Sequence, residues 1–440
     1  MSFKSRILNI LFWSVISAAF IGPGTITTAA KAGSVFQFNL LWALVFSTFA
    51  CLLLQEASAR ITIFSGKNLG EAIAYQLEGK STRVTILVLV AGAIILGSAA
   101  YEAGNILGAV AGLILIFDIS PVILVLVIGI VAFLALNIPS LQVLAKLMGI
   151  VVVLMGFSFV TTAILSQPSF NMILKGSFIP SVPEGAGGGL LILGLIGTTV
   201  VPYNLFLGSG MSDKSQKISE MRFGLSVAII LGGIISMAVL IVGAVVIGDF
   251  TYEALSEALT SRLGTWSVYM FGLGMFAAGF SSAITAPLAS AITAKSLFGY
   301  RNKEKWKIQS LNYKLVWGLV LLVGISFGLT NIEPIPAIIL AQALNGFILP
   351  FISIFLLFVI NDPKLMGENG MNGWFSNILM GIVVWVTLIL GLTNVIRAAG
   401  SAFNFIIPEG NLKFIIILII TLIITAWVMI KVYFIRFSKK

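Results

Sequence analysis

Apolar positions dominate this chain in long runs, and polar positions gather in the short links between them. The runs are apolar on all sides, and each is about twenty residues or longer, enough to cross a hydrocarbon core of roughly 30 Å as a helix. The pattern predicts spans at about 8–30, 39–63, 83–115, 121–139, 144–166, 188–209, 222–248, 266–298, 312–331, 334–360, 373–397 and 412–435. The first run is too long for a removable signal peptide and lacks a small-residue cleavage site, so it reads as a span. The expected organisation is one transmembrane domain over 1–440, with a first repeat at about 8–166, a second at about 188–360, and additional helices at about 373–435.

Two of these runs carry an interruption where a continuous helix is the default. The first is Ile21-Gly22-Pro23-Gly24-Thr25-Ile26-Thr27-Thr28, and the second is Gly197-Thr198-Thr199-Val200-Val201-Pro202-Tyr203-Asn204. Proline removes a backbone donor and clashes with the preceding turn, while glycine lowers helix stability, so both helices should break. Broken backbone at membrane depth persists only where protein or a wet cavity satisfies it. The breaks fall in the first and sixth spans, the relation expected of two five-helix inverted repeats that bind cargo between their discontinuous helices. Isolated kinks are common in membrane helices and usually bind nothing; it is the matched pair that points to a site.

Composition fits this picture. Hydrophobic residues make up 59% of the chain and charged residues 10%. The formal charge of +10 arises from basic residues in alternate links: Lys4, Arg6, the 60–83 segment, Lys146, the 214–222 link, Arg301, Lys303, Lys305, Lys307, Lys364, Arg436, Lys439 and Lys440. Only Lys31, Lys175, Arg262, Arg397 and Lys413 fall on the other side. The positive-inside rule then predicts a multi-pass protein of the cell membrane with both termini in the cytoplasm. Scattered over short loops, these charges make no nucleic-acid surface, and no obligatory protein partner is evident. Cys51 is the sole cysteine and histidine is absent, so no intrachain disulfide forms and the commonest metal ligand is missing. No nucleophile–base constellation or cofactor fingerprint points to an enzyme. Gly185, Gly187, Gly188 and Gly189 are not followed by Lys-Ser or Lys-Thr, so they read as an entry into the sixth span. Asp249, Glu253 and Glu257 suggest a solvated external helix between spans seven and eight.

Gly22-Pro23-Gly24-Thr25, Ala32-Gly33, Leu40-Leu41-Trp42, Leu54-Gln55, Ala59-Arg60 and Ser65-Gly66-Lys67 with Leu69 and Glu71 resemble the first two helices of the Nramp (SLC11-type) metal-ion transporters. The likeness continues through Pro202 with Asn204-Leu205, Ser281-Ser282 with Ile284-Thr285, Leu349-Pro350-Phe351 and Leu365-Met366-Gly367. It implies an all-α LeuT-type fold, with spans one to five and six to ten as inverted repeats. The departures from the family pattern fall on the chemistry. Where the family has Asp-Pro-Gly-Asn, Gly22 replaces the acid and Thr25 the amide; in the second break Thr198, Val201 and Tyr203 stand at the family's Ala, Met and His positions. The resemblance places Glu102 and Asn105 on two acids of the metal carriers' proton route.

A transition-metal site needs carboxylate, imidazole or soft sulfur, so none is expected here. Gly22, Thr25, Thr28, Thr198, Thr199, Val201, Tyr203 and Asn204 form the expected substrate site, with hydroxyls and two half-helix N-termini offered to a small oxyanion such as bicarbonate. Sodium is the expected coupling ion, held by Ser281, Ser282, Thr285 and carbonyls near Phe20 to Gly22; tight packing is the plainer role of those small residues. Lys31 is placed to draw anions inward or to snorkel, and Glu102 to balance a cation such as Lys31. Glu56 should pair with Arg60 one turn later, and Gln342 and Asn345 either line the path or bond between helices. The expectation is thus sodium-coupled anion transport by alternating access. Its alternatives are a carrier of divalent magnesium or manganese with an altered site, magnesium keeping its hydration, and a non-transporting sensor.

Overall fold

A computed structural model describes residues 3–183, 188–246, 250–299, 302–330, 348–402 and 411–437. Among these residues the regular structure is helical. The elements are α1 (Phe3–Phe20), α2 (Pro23–Phe36), α3 (Leu41–Ser65), α4 (Leu69–Gln76), α5 (Arg83–Ile114), α6 (Pro121–Leu136), α7 (Leu141–Leu165), α8 (Phe170–Phe178), α9 (Gly188–Thr199), α10 (Pro202–Met211), α11 (Ile218–Gly243), α12 (Tyr252–Leu263), α13 (Trp266–Phe298), α14 (Leu311–Gly328), α15 (Ile348–Ile360), α16 (Pro363–Gly370), α17 (Trp374–Ala402) and α18 (Asn411–Phe437). Among the described residues ten helical stretches are long and apolar enough to cross a membrane, eleven if α15 and α16, bent by 66°, count together; α6 is a shorter apolar helix. The protein is a multi-pass membrane protein. Gln342 and Asn345 lie outside the described residues.

Both predicted breaks are present and are built alike. α1 stops at Phe20, two residues follow, and α2 restarts with Pro23 at its first position. α9 stops at Thr199, two residues follow, and α10 restarts with Pro202 in the same role. Proline suits that position because its missing N–H would be unpaired there anyway and its φ is already helical. The caps before the prolines, Gly22 and Val201, are extended, so each chain passes through two non-helical residues into its second half-helix without a side-chain cap. α1 and α2 extend beyond the predicted 8–30, because hydropathy marks the apolar centre of a span and not its helical ends.

α13 is the central post, buried along almost its whole length and packed most heavily against α5. α1, α7 and α11 pack on one another beside it. At the end carrying the basic links, α4 is closed by a capping box in which Asn68 and Glu71 exchange hydrogen bonds. Arg60 there binds Glu56, Gly370 O and the Asn372 side chain, and Glu56 also holds Arg222 at 2.8 Å. Asn361 and Asn377 exchange paired amide bonds of 2.8 Å, while Arg436 donates to Asn372 O at 2.6 Å. At the opposite end the external segment forms α12, whose Tyr252 hydroxyl meets Thr27 Oγ1 at 2.6 Å and whose Arg262 donates to Ser166 O. Burial pushes the Tyr252 phenol up, so it stays protonated and donates, Thr27 having given its own proton to Pro23 O.

Candidate ion site between the two breaks

The last turn of α1 leaves backbone carbonyls without intrahelical partners, as any helix end does. Four neighbouring groups cover them. Ser281 and Ser282 of α13 donate to Ala18 O, the Tyr203 hydroxyl of α10 to Ala19 O at 3.2 Å, and Thr25 of α2 to Phe20 O at 2.5 Å. One turn earlier, Asn204 Nδ2 donates to Ile16 O at 3.1 Å. Thr25 Oγ1 also lies 3.5 Å from Thr198 O, which brings the two breaks face to face.

This arrangement alters the chemistry expected of the hydroxyls. Thr25 and Tyr203, expected to donate to a bound anion, turn their protons into the end of α1. Ser282 does the same, and Ser281 divides its proton between Ala18 O at 3.4 Å and Ala278 O of its own helix at 3.1 Å, which leaves the lone pairs of both serines available to a cation. Thr198 and Thr199 both donate to Leu195 O in their own helix. The reason is proximity: a hydroxyl beside an uncovered carbonyl satisfies it in a buried setting where leaving it bare would cost about 1–3 kcal/mol. Thr28 turns its methyl toward Gly194 of α9, and Val201 is a buried apolar cap. Thr285 is fully buried and its hydroxyl has no partner within the protein.

Gly22 is hemmed in. A Cβ there would sit 2.8 Å from Ser282 Oγ and 3.4 Å from Asn105 Oδ1, so any side chain at this position requires the Ser282 hydroxyl to turn away from where it now sits. Asn105 Nδ2 donates to Glu102 Oε2 at 3.2 Å, and Glu102 lies fully buried against Gly324 of α14. The balancing role given to Glu102 toward Lys31 is not found: among the described residues no ion pair joins them, and Lys31 is half-buried on α2. Its neighbour in space is Asn105, one turn along α5. The Glu56–Arg60 pair is present at 3.1 Å.

What remains around the breaks is a set of oxygens. Glu102 Oε1, Asn204 Oδ1 and Gln55 Oε1 are buried and have no hydrogen-bond partner within the protein. Gln55 was not among the expected site residues. Its signal is the polar stripe Gln55, Ser58 and Thr62 on the apolar helix α3, spaced to face one neighbour. That neighbour is α10: Ser58 donates to Leu205 O and Thr62 to Ser209 O. No group of three or more His, Cys, Asp or Glu able to hold a metal ion occurs among the described residues.

Two broken helices that meet at a buried polar site within a helical bundle define a membrane transporter of the LeuT type. The family model described as natural resistance-associated macrophage protein-like matches residues 14–397, and the chain belongs to that family, Nramp. Among its relatives, the divalent metal cation transporter MntH of Caldanaerobacter subterraneus subsp. tengcongensis is 27% identical over 403 residues, 85% of this chain and 92% of that protein. MntH of Klebsiella pneumoniae is 25% identical over 395 residues, 86% of this chain and 91% of its own length. Among solved structures, the Eremococcus coleocola manganese transporter superposes with a TM-score of 0.74 at 21% identity, covering 98% of this chain and 96% of that one. The nucleobase-cation-symport-1 family transporter MHP1 gives a TM-score of 0.54 at 16% identity, over 89% of this chain and 93% of that one, which extends the likeness in fold alone.

Proposed function

We propose that this protein carries a hard divalent cation, magnesium or manganese, through alternating access around the two breaks, and that the ion keeps much of its water. The observation that carries the reading is the direction of the hydroxyls: those of Thr25, Tyr203 and Ser282 are spent on α1, those of Thr198 and Thr199 on Leu195 O, and the polar atoms left over in and beside the breaks include three buried oxygens. Such atoms attract a cation or the water around it. The two amide oxygens among them offer an anion no donor. Pro23 and Pro202 at the first positions of α2 and α10 each remove one N–H that an anion would use. The relatives' names, divalent metal cation transporter and manganese transporter, support the same class. Neutral oxygens without imidazole or thiolate suit magnesium, which gives up water reluctantly and takes few direct protein ligands. The basic links support an orientation with both termini in the cytoplasm.

A second reading, sodium-coupled uptake of a small anion such as bicarbonate, is favoured by one feature: no acidic side chain stands within either break. In liposomes, magnesium or manganese uptake that saturates with metal and ignores sodium is the expected result. Labelled bicarbonate uptake stimulated by an inward sodium gradient, with no divalent flux, overturns the cation reading. Binding of magnesium without flux of any kind identifies a sensor.

A further inference from the structure

On the polar stripe of α3, Ser58 and Thr62 spend their donors on α10, and Gln55 alone keeps an oxygen unpaired. Gln55 is only 1% exposed and Asn204 is 0% exposed, so neither orphan oxygen is answered by bulk solvent. The two belong to one locus. A Cβ on Gly208 would lie 2.3 Å from Gln55 Oε1 and 3.5 Å from Ile16 Cδ1, and Asn204, one turn earlier on α10, donates to the carbonyl of that same Ile16. Glycine at 208 therefore makes the room that the Gln55 amide occupies. Both amides thus adjoin Ile16 and the same face of α10 where α1, α3 and α10 meet, beside the second break on the side of the basic links.

We propose that Gln55 Oε1 and Asn204 Oδ1 form a second cation subsite, which holds the ion through hydrogen bonds accepted from its first hydration shell. The inference rests on the cation reading above and adds to it the place where the hydrated ion pauses between the breaks and the basic-link end. Neutral amide oxygens are weak direct ligands for magnesium and good acceptors for its polarised water. Such a subsite gives an ion leaving the breaks a partner before it meets bulk water, without binding it so firmly that release stalls.

The test uses the full-length protein in lipid nanodiscs and hexaamminecobalt(III), an exchange-inert complex whose ligands present hydrogens much as a hydrated magnesium ion does. Calorimetry should show binding to the unaltered protein. Gln55→Leu should weaken it about tenfold, the ratio for one lost hydrogen bond to a charged species, while Gln55→Glu, of the same shape, restores or tightens it. In liposomes Gln55→Leu should raise the KM for magnesium by about the same factor and leave kcat within about twofold. If the Leu variant does not fold, Gln55→Met carries the same expectation. Magnesium transport with an unchanged KM in the leucine or methionine variant overturns the subsite. Conversely, binding of the cobalt complex that depends on Gln55, in a protein that moves no divalent ion, keeps the subsite and overturns the transport reading.

Discussion

Two buried polar regions of this protein follow opposite rules. At the end with the basic links, Arg60 answers Glu56, Gly370 O and Asn372, Asn361 and Asn377 share reciprocal amide bonds, and Arg436 reaches in from α18 to Asn372 O. These side chains answer one another. In and beside the breaks, by contrast, Glu102, Asn204 and Gln55 each keep an oxygen without a protein partner. A fully satisfied network fixes the packing of α3, α15, α17 and α18, whereas a partly satisfied one stays open to a ligand. Stability and function are in this sense kept at different heights of the bundle.

Substitutions in the first region should show in stability and not in ion selectivity. Arg60→Met leaves Glu56 and two oxygens without their buried cation, and should cost about 3 kcal/mol, read as a lower melting temperature in detergent. Asn361→Ala strips Asn377 of both its amide bonds to Asn361 and should cost about 2 kcal/mol by the same measurement. A normal melting temperature in either variant breaks the comparison. In the second region Glu102→Gln keeps the shape and removes the carboxyl, so divalent uptake should fall about tenfold with the melting temperature unchanged. Last, Tyr252→Phe removes the bond to Thr27 at the margin of the site and should cost no more than about 1 kcal/mol, with uptake retained. Loss of uptake there would extend the functional region out to α12.

The breaks were legible in the sequence because proline and glycine act on their own backbone, and Pro23 and Pro202 start half-helices where the pattern placed them. Glu56 with Arg60 was equally legible, being one helical turn. Arg222, Gly370 and Asn372 were not, because they reach Arg60 or Glu56 from more than 160 positions away and no local period announces them. At the site itself, residue types could be named but not the direction of their protons. Whether Tyr203 donates to a cargo or to Ala19 O depends on where α1 ends relative to α10, which is a property of packing. Gln55 was overlooked for the opposite reason: its stripe on α3 is visible, but only the neighbouring α10 shows that Ser58 and Thr62 are satisfied and Gln55 is not.

The final turn of α1 is moored to α2, α10 and α13 through Phe20 O, Ala19 O and Ala18 O. It cannot pivot to open a passage on one side unless all three lines slip together. At about 1 kcal/mol for each, the moored posture outweighs the pivoted one by roughly a hundredfold on this account alone. On the transport reading proposed above, cargo has to favour the pivoted posture by a comparable factor to offset these three bonds.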